Sequence, residues 1–455
     1  MSEHSLFSAF PPVSAKAWKQ KIQVDLKGAD YNETLVWESP EGINVKPFYS
    51  QEDLEGKSPA IEFNPSSWYV GQRIETSDPL KMQELCIDAL KGGAEHLIVH
   101  LKSNEFDLDV LMSDPGVEGS KLLIEADQWT PDTLHAILKN TSAKHNNIIL
   151  YDVIGQLAAS GNWHNSFQDD FDSLEALLAD FPDTKIVAVN GALYQNSGAD
   201  RIQELAYMIA HAKEYINRLH TKGLRHITFN TSTSSNYFFE IAKLKALRLL
   251  WQSLLKKENK SLSYHILCSP SKRNKSIYDY NVNMLRSTTE SMAAILGGAD
   301  TIYNLPYDNM YHKQNDFADR IARNQLLILK HESYFDKVSN AAAGSYYIES
   351  LSQEMVKKAW ALYEQIEAGG GFLTQLKEHK IQKKIKESAA SQQRAFNDGQ
   401  EVLVGCNKYS NETDKMKDQL DKDPFMKKAT RKTLIEPILE KRLAEPLEKN
   451  RLDHE

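Results

Sequence analysis

Three polar side chains near the ends of predicted strands are the best candidates for contact with a substrate. His265 lies within the apolar run 262–269, Asn190 ends the run 186–190, and Gln195 follows five residues later. Imidazole and amide groups donate and accept hydrogen bonds, and an imidazole can also exchange protons near neutral pH. These residue types suit a pocket that holds a carbonyl or a carboxylate. A histidine inside a strand is, however, more often a structural core residue.

The histidines and glycines form no recognised metal or nucleotide motif. The sequence has 14 histidines, but none lies in a His-Glu-x-x-His pattern, and there is no Cys-x-x-Cys pair. His96 and His100 flank one strand and alternate onto the same face, which we interpret as structural. Walker and dinucleotide-binding glycine patterns are also missing from the sequence. The sequence therefore predicts no metal site and neither a nucleotide hydrolase nor a dehydrogenase.

Composition narrows the class of partner. The 455 residues are 41% hydrophobic and 25% charged, with a net charge of −8. This acidic balance argues against nucleic acid and anionic membranes as partners. No apolar run reaches the length of about 18 residues that a membrane span needs, and the N-terminus has no signal-peptide pattern. Three widely separated cysteines indicate reduced thiols. We expect a cytoplasmic globular protein.

Eight short apolar runs of β-type residues supply the elements that would position the candidate side chains. Their starts are 26 to 40 residues apart, which leaves room for a crossover helix after each strand. Such alternation predicts an α/β fold, a (β/α)8 TIM barrel over residues 66–335. Residues 1–65 are predicted to be an extended N-terminal arm, and residues 336–455 a helical C-terminal extension. The runs start at Trp68, His96, Leu122, Ile148, Ile186, His226, Leu262 and Thr301.

The stretch from residue 279 to 349 carries a distinctive spacing of polar residues. It contains Asp279, Asn283, Arg286, Glu290 and Met292, then the strings Ile-Ala-Arg-Asn at 321–324 and Gly-Ser-Tyr-Tyr at 344–347. This spacing resembles the substrate-binding barrel of the methylmalonyl-CoA mutase family. The resemblance implies a TIM barrel and adenosylcobalamin enzymes, which rearrange an acyl-CoA carbon skeleton through radicals.

Residues on which the family's chemistry depends are replaced in this sequence. The family carries a Tyr-His pair after strand five and a glutamine two residues after the histidine of strand seven. Here Ala192 and Leu193 occupy the positions of the pair, and Leu267 occupies that of the glutamine, although His265 matches. Residues 151–184 contain no Arg or Lys, so the arginine that pairs with the family's substrate carboxylate has no counterpart. The resemblance therefore implies a barrel without catalytic residues.

The family's cobalamin-binding domain is also expected to be absent. Its signature, Asp-x-His-x-x-Gly, is approached only at residues 220–223, where Arg218 takes the place of the aspartate. Residues 404–409 and 442–448 are similar to segments that precede that domain. Residues 37–49 are similar to the opening segment of both family subunits. The start of strand one at Trp68, without the large subunit's Arg-Gln-Tyr-Ala-Gly-Phe-Ser segment, favours the small subunit.

Three functional hypotheses follow from the resemblance. The favoured one is a non-catalytic small (beta) subunit of a heterodimeric methylmalonyl-CoA mutase, which stabilises a large (alpha) subunit. The large subunit would bind adenosylcobalamin, and this chain alone would bind no cofactor and show no catalysis. The first alternative is the substrate-barrel subunit of a split acyl-CoA mutase that uses a separate cobalamin subunit. The second is a CoA-ester binding or regulatory module.

Access to the barrel interior separates these hypotheses. On strand six, Thr228, Asn230 and Ser232 are predicted to line the lumen with polar groups, whereas Val187 and Val189 on strand five are predicted to plug it. In a CoA-ester module, the basic residues after strand seven would hold the CoA phosphates; otherwise they would lie in a solvated loop. These residues are Lys272, Arg273 and Lys275.

Overall fold

The computed structural model shows a closed barrel of eight parallel strands, which confirms the predicted TIM barrel. It describes residues 10, 13–54, 68–102, 108–127, 129–141, 147–426 and 431–455. Parts of the predicted N-terminal arm, residues 1–9, 11–12 and 55–65, lie outside the described residues. The barrel strands pair in chain order, and the last strand closes onto the first. The strands are β1 Tyr69–Thr76, β2 His96–Leu101, β3 Lys121–Ala126, β4 Ile148–Tyr151, β5 Lys185–Asn190, β6 His226–Thr233, β7 Ser263–Pro270 and β8 Thr301–Tyr303.

Helices surround the barrel and continue into the C-terminal extension. In the arm, a two-residue hairpin pairs Trp37–Glu38 with Asn44–Val45. The helix α13 ends in a π-type turn, Ile328–Glu332. The helices are α1 Ala15–Asp25, α2 Tyr31–Leu35, α3 Pro79–Lys91, α4 Leu108–Met112, α5 Pro115–Glu118, α6 Pro131–Thr141, α7 Val153–Ser160, α8 Phe167–Asp180, α9 Gly191–Asn196, α10 Arg201–Leu219, α11 Tyr237–Lys257, α12 Val282–Gly297, α13 Asp316–Leu327, α14 Tyr346–Ala368, α15 Phe372–Lys377, α16 Lys380–Asn397 and α17 Glu445–His454.

Local sequence signals explain where several barrel helices begin. Asp78 caps α3 by accepting hydrogen bonds from the backbone of Leu80 and Lys81, and Pro79 follows it in the first turn. Helix α10 begins with a reciprocal capping box between Asp200 and Gln203. These caps satisfy backbone donors that a helix start leaves free.

The two faces of each strand bury different sets of apolar residues. Val187 and Val189 pack with the helices in the large outer core, whereas Ala188 belongs to a separate inner cluster. The prediction that the two valines plug the lumen was therefore wrong. Successive side chains point to opposite faces of a strand, and on β5 the small Ala188 takes the lumen face.

The inner cluster fills the middle of the lumen with side chains from six strands and the loop after β8. We call it the apolar plug. All its members are buried, and among them Leu267 and Tyr303 lie on neighbouring strands. The plug consists of Ile98, Leu123, Ile148, Leu150, Ala188, Leu267, Tyr303 and Leu305.

The C-terminal extension is less helical than predicted. Helices α14, α15 and α16 pack on the outside of the barrel, but the described residues between α16 and α17 form no helix. Residues 431–444, which we call the strap, cross the loops at the carboxyl ends of several strands. Backbone amides of Ile438, Lys441 and Leu443 donate to the carbonyls of Ala158, Asn196 and Arg273 at 2.8–3.0 Å. These carbonyls follow β4, β5 and β7, so the strap lies against the face of the barrel where TIM-barrel active sites are built.

Candidate functional site

A network of charged side chains occupies the carboxyl-terminal mouth of the barrel. Arg73 Nε donates to Glu125 Oε1 at 2.5 Å, and its Nη1 also bonds Glu75. His100 Nδ1 lies 3.1 Å from Glu125 Oε1, and His100 Nε2 lies 3.0 Å from Asp127 Oδ1. The strand register explains the cluster, because it places Glu75 beside His100 and His100 beside Glu125. The charges at the mouth therefore satisfy one another.

The pKa values at the mouth show that its groups keep fixed charges near neutral pH. Burial opposes ionisation of Glu125, but the charge of Arg73 and the hydrogen bond from His100 outweigh it and lower the Glu125 pKa to about 2. Burial also lowers the pKa of His100, but hydrogen bonds to Asp127 and Glu125 outweigh it and raise that pKa to about 9. A general acid or base works best with a pKa near the operating pH. None of these groups meets that condition.

Below this network, the apolar plug fills the lumen. Leu267 stands where the family resemblance expects a glutamine, and it is buried with 1% of its surface exposed. On β6 the neighbouring residue is Asn230, which pairs with Leu267 in register. Tyr303, in the plug, is also buried, and burial raises its pKa. The middle of the lumen thus presents mainly apolar side chains.

Strand five leads directly into the short helix α9, which contains the two positions where the family resemblance implies a Tyr-His pair. Ala192 and Leu193 are buried there and bring no polar side-chain group. Asn190 caps this helix, because its Oδ1 accepts a hydrogen bond from the backbone N–H of Leu193 at 3.3 Å. A Cβ on Gly191 would collide with the side chain of Met208. Close packing between α9 and α10 therefore fixes this segment.

The other two candidate residues lie apart from Asn190. His265 is the third residue of β7, and its Nε2 lies 2.9 Å from Thr301 Oγ1 in the amino-terminal half of the lumen. Burial lowers its pKa to about 4. Gln195 accepts a hydrogen bond from Ser271 at 2.9 Å and lines a cavity outside the barrel. The structure therefore does not bring the three candidates together in one pocket.

The basic residues after β7 have polar partners within the chain. Lys275 is buried and pairs with Glu290 at 2.7 Å. Arg273 is also buried, and its guanidinium bonds Gln392 and the strap. Lys272 pairs with Glu440 of the strap at 2.8 Å. The prediction of a solvated loop was wrong for Arg273 and Lys275, which are buried, and the phosphate-binding hypothesis stays a prediction.

A cavity of about 740 Å³ lies outside the barrel wall, between the hairpin of the arm, the loops after β5 to β7, and α16. Within it, Arg201 pairs with Glu41 and Glu240, at 2.7 and 2.8 Å. The lining contains more carboxylates than guanidinium groups, namely Glu38, Glu41, Asp200, Glu240 and Glu401 against Arg201 and Arg273. In its wall, Ser234 Oγ donates to Glu240 Oε1 at 2.9 Å, so this carboxylate is shared between a hydroxyl and Arg201.

No group of three His, Cys, Asp or Glu side chains in the described part of the chain is arranged to hold a metal ion. Among the described helices, none combines the length and the apolar character needed to cross a bilayer.

Sequence reasoning missed the residues that define the mouth, namely Arg73, Glu75 and Glu125. Each lies two residues from another lumen-facing residue of its own strand. Aligning β1, β2 and β3 in register would therefore have placed these side chains side by side. His100 was noted but interpreted only as structural. Its partners belong to β3 and the loop after it, which the pattern of one strand cannot reveal.

Comparison with known proteins places the chain in a family. The family model described as methylmalonyl-CoA mutase matches residues 139–451. The chain is 32% identical to the methylmalonyl-CoA mutase small subunit of Porphyromonas gingivalis, over 92% of this chain and 73% of that protein. It is 26% identical to the small subunit from Streptomyces virginiae, over 89% and 72% of the two chains. The chain belongs to the methylmalonyl-CoA mutase family.

The matched region covers only part of the length of each of these related proteins. A methylmalonyl-CoA mutase of Rhizobium meliloti is 28% identical over 90% of this chain, which spans 65% of that relative. The comparisons therefore establish the family and the barrel, and the activity of the whole relatives comes to this chain only as a proposal.

Proposed function

We propose that this chain is the non-catalytic small subunit of a heterodimeric, adenosylcobalamin-dependent methylmalonyl-CoA mutase of the cytoplasm. In this proposal a large subunit interconverts methylmalonyl-CoA and succinyl-CoA. The observation that carries the proposal is the filled barrel: the apolar plug occupies the lumen, and the network of Arg73, His100 and Glu125 occupies the mouth. An acyl-CoA could enter only by displacing buried apolar side chains and separating these ion pairs.

The residues at the carboxyl-terminal face do not fit adenosylcobalamin. This cofactor supplies the organic radical chemistry when it is bound. Here the strap lies on the loops after β4, β5 and β7, held by Lys272 and Glu440 among others. His220, in the string nearest to the cobalamin signature, follows α10 and therefore lies toward the opposite end of the barrel. We accordingly assign the cofactor to the large subunit.

The N-terminal arm suits a role in holding the partner. None of the 11 residues of α1 is buried, and this includes two large hydrophobic side chains. Trp18 is 50% exposed and Val24 is 73% exposed. Within this chain, the ring of Trp18 has one aromatic neighbour among the described residues, Phe48, at 6.3 Å. Isolated helices of this length are marginal in water. We propose that residues 1–65 act as an arm on the large subunit, while residues 66–335 form the barrel domain and residues 336–455 an extension that covers it.

The two alternative functions have less support. A split mutase needs a substrate path through the lumen, which Leu267 and the rest of the plug occupy. A CoA-ester module with phosphates on the basic residues after β7 would have to compete with Glu290 and Glu440, which already pair with Lys275 and Lys272.

Co-expression with a full-length large subunit tests the proposal. We expect a 1:1 complex on size-exclusion chromatography, and a Trp18→Ala variant should weaken it while leaving the fold of this chain unchanged. The exposed Val404→Ala change provides a control at the other end of the chain, where it should leave the complex intact. Mutase turnover by the isolated chain, or failure of both chains to associate, would contradict the proposal.

A further inference from the structure

The cavity outside the barrel wall has a volume of about 740 Å³, which lies within the range typical of sites for small molecules. Three parts of the chain enclose it, namely the hairpin of the arm, the loops after β5, β6 and β7, and the C-terminal extension with α16. Among the described residues, it shares no lining side chain with the apolar plug or with the mouth network. The cavity is therefore a separate space, outside the lumen of the barrel.

Three of the carboxylates that line the cavity have no cation within ion-pair distance in the described part of the chain. Asp200 caps helix α10 by accepting a hydrogen bond from the backbone of Gln203 at 2.8 Å. Glu401 accepts one from the hydroxyl of Ser235 at 3.3 Å, and Glu38 lies exposed at the edge of the cavity. The partners of Asp200 and Glu401 are neutral donors, so their negative charges remain uncompensated.

The other two lining carboxylates, Glu41 and Glu240, share one guanidinium group. Arg201 pairs with Glu41 at 2.7 Å and with Glu240 at 2.8 Å. The buried Lys243 also pairs with Glu240, but Glu204 takes part of its charge, since both distances are 2.8 Å. The side chain of Glu41 is 1% exposed, and its Oε2 accepts no hydrogen bond among the described residues. One oxygen of a buried carboxylate is thus left unsatisfied on this wall, which is costly.

The second guanidinium group of the lining does not offset this excess of negative charge. Burial lowers the pKa of Arg273 to about 10, against the charges of Glu445 and Glu401, so Arg273 stays protonated at neutral pH. Five lining carboxylates nevertheless face only the two guanidinium groups of Arg201 and Arg273. Burial raises the pKa of Asp200, and the nearby charge of Glu41 adds to this effect. The cavity therefore favours a positively charged ligand.

An aromatic ring in the lining indicates which kind of cation fits. Trp37 lines the cavity with 48% of its surface exposed, and its ring packs against Phe239 at a centroid distance of 5.6 Å. The face of an indole ring attracts organic ammonium groups. A metal ion instead needs several ligands directed at one point, and no described group of three His, Cys, Asp or Glu side chains offers this. The lining therefore suits an organic cation better than a metal ion.

We propose that this cavity binds a short aliphatic diammonium ion. Two ammonium groups match the uncompensated carboxylates, and hydroxyl and amide oxygens of the lining, such as those of Ser391 and Asn236, can accept their remaining hydrogens. The methylene chain between them can pack on the apolar part of the lining, which includes Trp37, Ala199 and Leu443. All the lining residues belong to this chain, so the site does not depend on the proposed subunit role.

Thermal unfolding of the full chain at neutral pH and constant ionic strength tests this site. The probe 1,4-diaminobutane should raise the melting temperature in a saturable way, because a ligand that binds only the folded state stabilises it. Butane-1,4-diol has the same carbon chain without charge and should have no effect. Glu401→Gln should weaken diamine binding about tenfold, as expected for the loss of one ion pair with the ligand. Glu332→Gln, at an exposed position outside the cavity, is the matched control and should respond like the unmodified chain.

Two further arms make the test decisive. Glu38→Gln repeats the measurement at an exposed carboxylate of the lining if Glu401→Gln does not fold. Magnesium chloride distinguishes an organic cation from a metal ion. Saturable stabilisation by the diamine that is weakened in the cavity variants and kept in the control supports the proposal. No stabilisation of the unmodified chain, an equal response of the cavity variants and the control, or equal stabilisation by magnesium or by the diol overturns it.

Discussion

Arg73 Nε on β1 donates to Glu125 Oε1 on β3 at 2.5 Å, across the end of the intervening strand β2. His100 projects from β2 between them and contacts the same carboxylate at 3.1 Å. Three consecutive strands are therefore joined at the mouth by a cation, an anion and an imidazole. These groups bond one another directly above the apolar plug.

Glu125→Gln should destabilise the protein because it leaves Arg73 without its principal counter-charge. The side chains of Arg73 and Glu125 are 25% and 20% exposed, so water screens the pair only in part. We expect the free energy of unfolding to fall by about 2 kcal/mol, below the cost of about 3–5 kcal/mol for breaking a fully buried pair, because water screens this one in part. Urea unfolding measures this change. Glu84→Gln, which removes an exposed partner of Lys81, should have no measurable effect.

His100 should make stability depend on pH in the alkaline range. Its folded-state pKa is about 9, above the value of about 6.5 for an unfolded histidine. The protonated form therefore stabilises the fold fully below pH 6.5, and this contribution is lost as the pH rises through 9. We expect a loss of about 3 kcal/mol over that window, because each pKa unit corresponds to about 1.4 kcal/mol, and urea unfolding at several pH values measures it. In His100→Gln this loss should disappear, and an unchanged slope would contradict the assignment.

Leu267→Gln should not restore a substrate site. The new amide would lie among apolar plug residues such as Ile98 and Leu123, so we expect the free energy of unfolding to fall by about 2 kcal/mol. Leu267→Met keeps the volume and the apolar character and should cost less than about 1.5 kcal/mol. Chemical unfolding compares the two variants. A stable Leu267→Gln protein that binds methylmalonyl-CoA would show that the lumen is open.

Gly161→Ala should loosen the strap. Gly161 has φ +78°, and a Cβ there would lie 2.7 Å from the carbonyl oxygen of Ile435 and 2.8 Å from Thr433. The two strap residues must move, so trypsin should cleave faster at Arg431 and Lys432, as peptide mass analysis would show. Gly399→Ala is the control, because it has a similar φ of +72° but no atom within 4 Å of the added Cβ. Equal cleavage in both variants would mean that backbone strain alone is responsible.

The barrel was predictable because each strand and helix carries its own local pattern. Apolar runs and caps such as Asp78 are read within a short window, and eight evenly spaced units leave few alternative folds. Which face of β5 points inward could not be read in this way. Val187, Ala188 and Val189 are all apolar, so the alternation that normally reveals the buried face is missing.

The candidate site was less predictable, because it depends on contacts between distant parts of the chain. Arg73 and Glu125 are 52 residues apart, and Lys272 meets Glu440 across 168 residues. The strap has no helical or strand pattern of its own, so its course over the barrel follows from backbone hydrogen bonds to carbonyls such as that of Asn196. The residues Ala192 and Leu193, in contrast, could be identified from the sequence alone, because this required only a comparison with the family's motif.

Turnover of methylmalonyl-CoA by the purified chain, with excess adenosylcobalamin, tests the central claim most directly. We predict no succinyl-CoA from this chain alone, and turnover when a large subunit is added at equal concentration. A Glu125→Gln chain that still folds should support the partner as well as the unmodified chain does, because no catalytic step depends on the mouth. Sustained turnover by this chain without a large subunit would contradict the account.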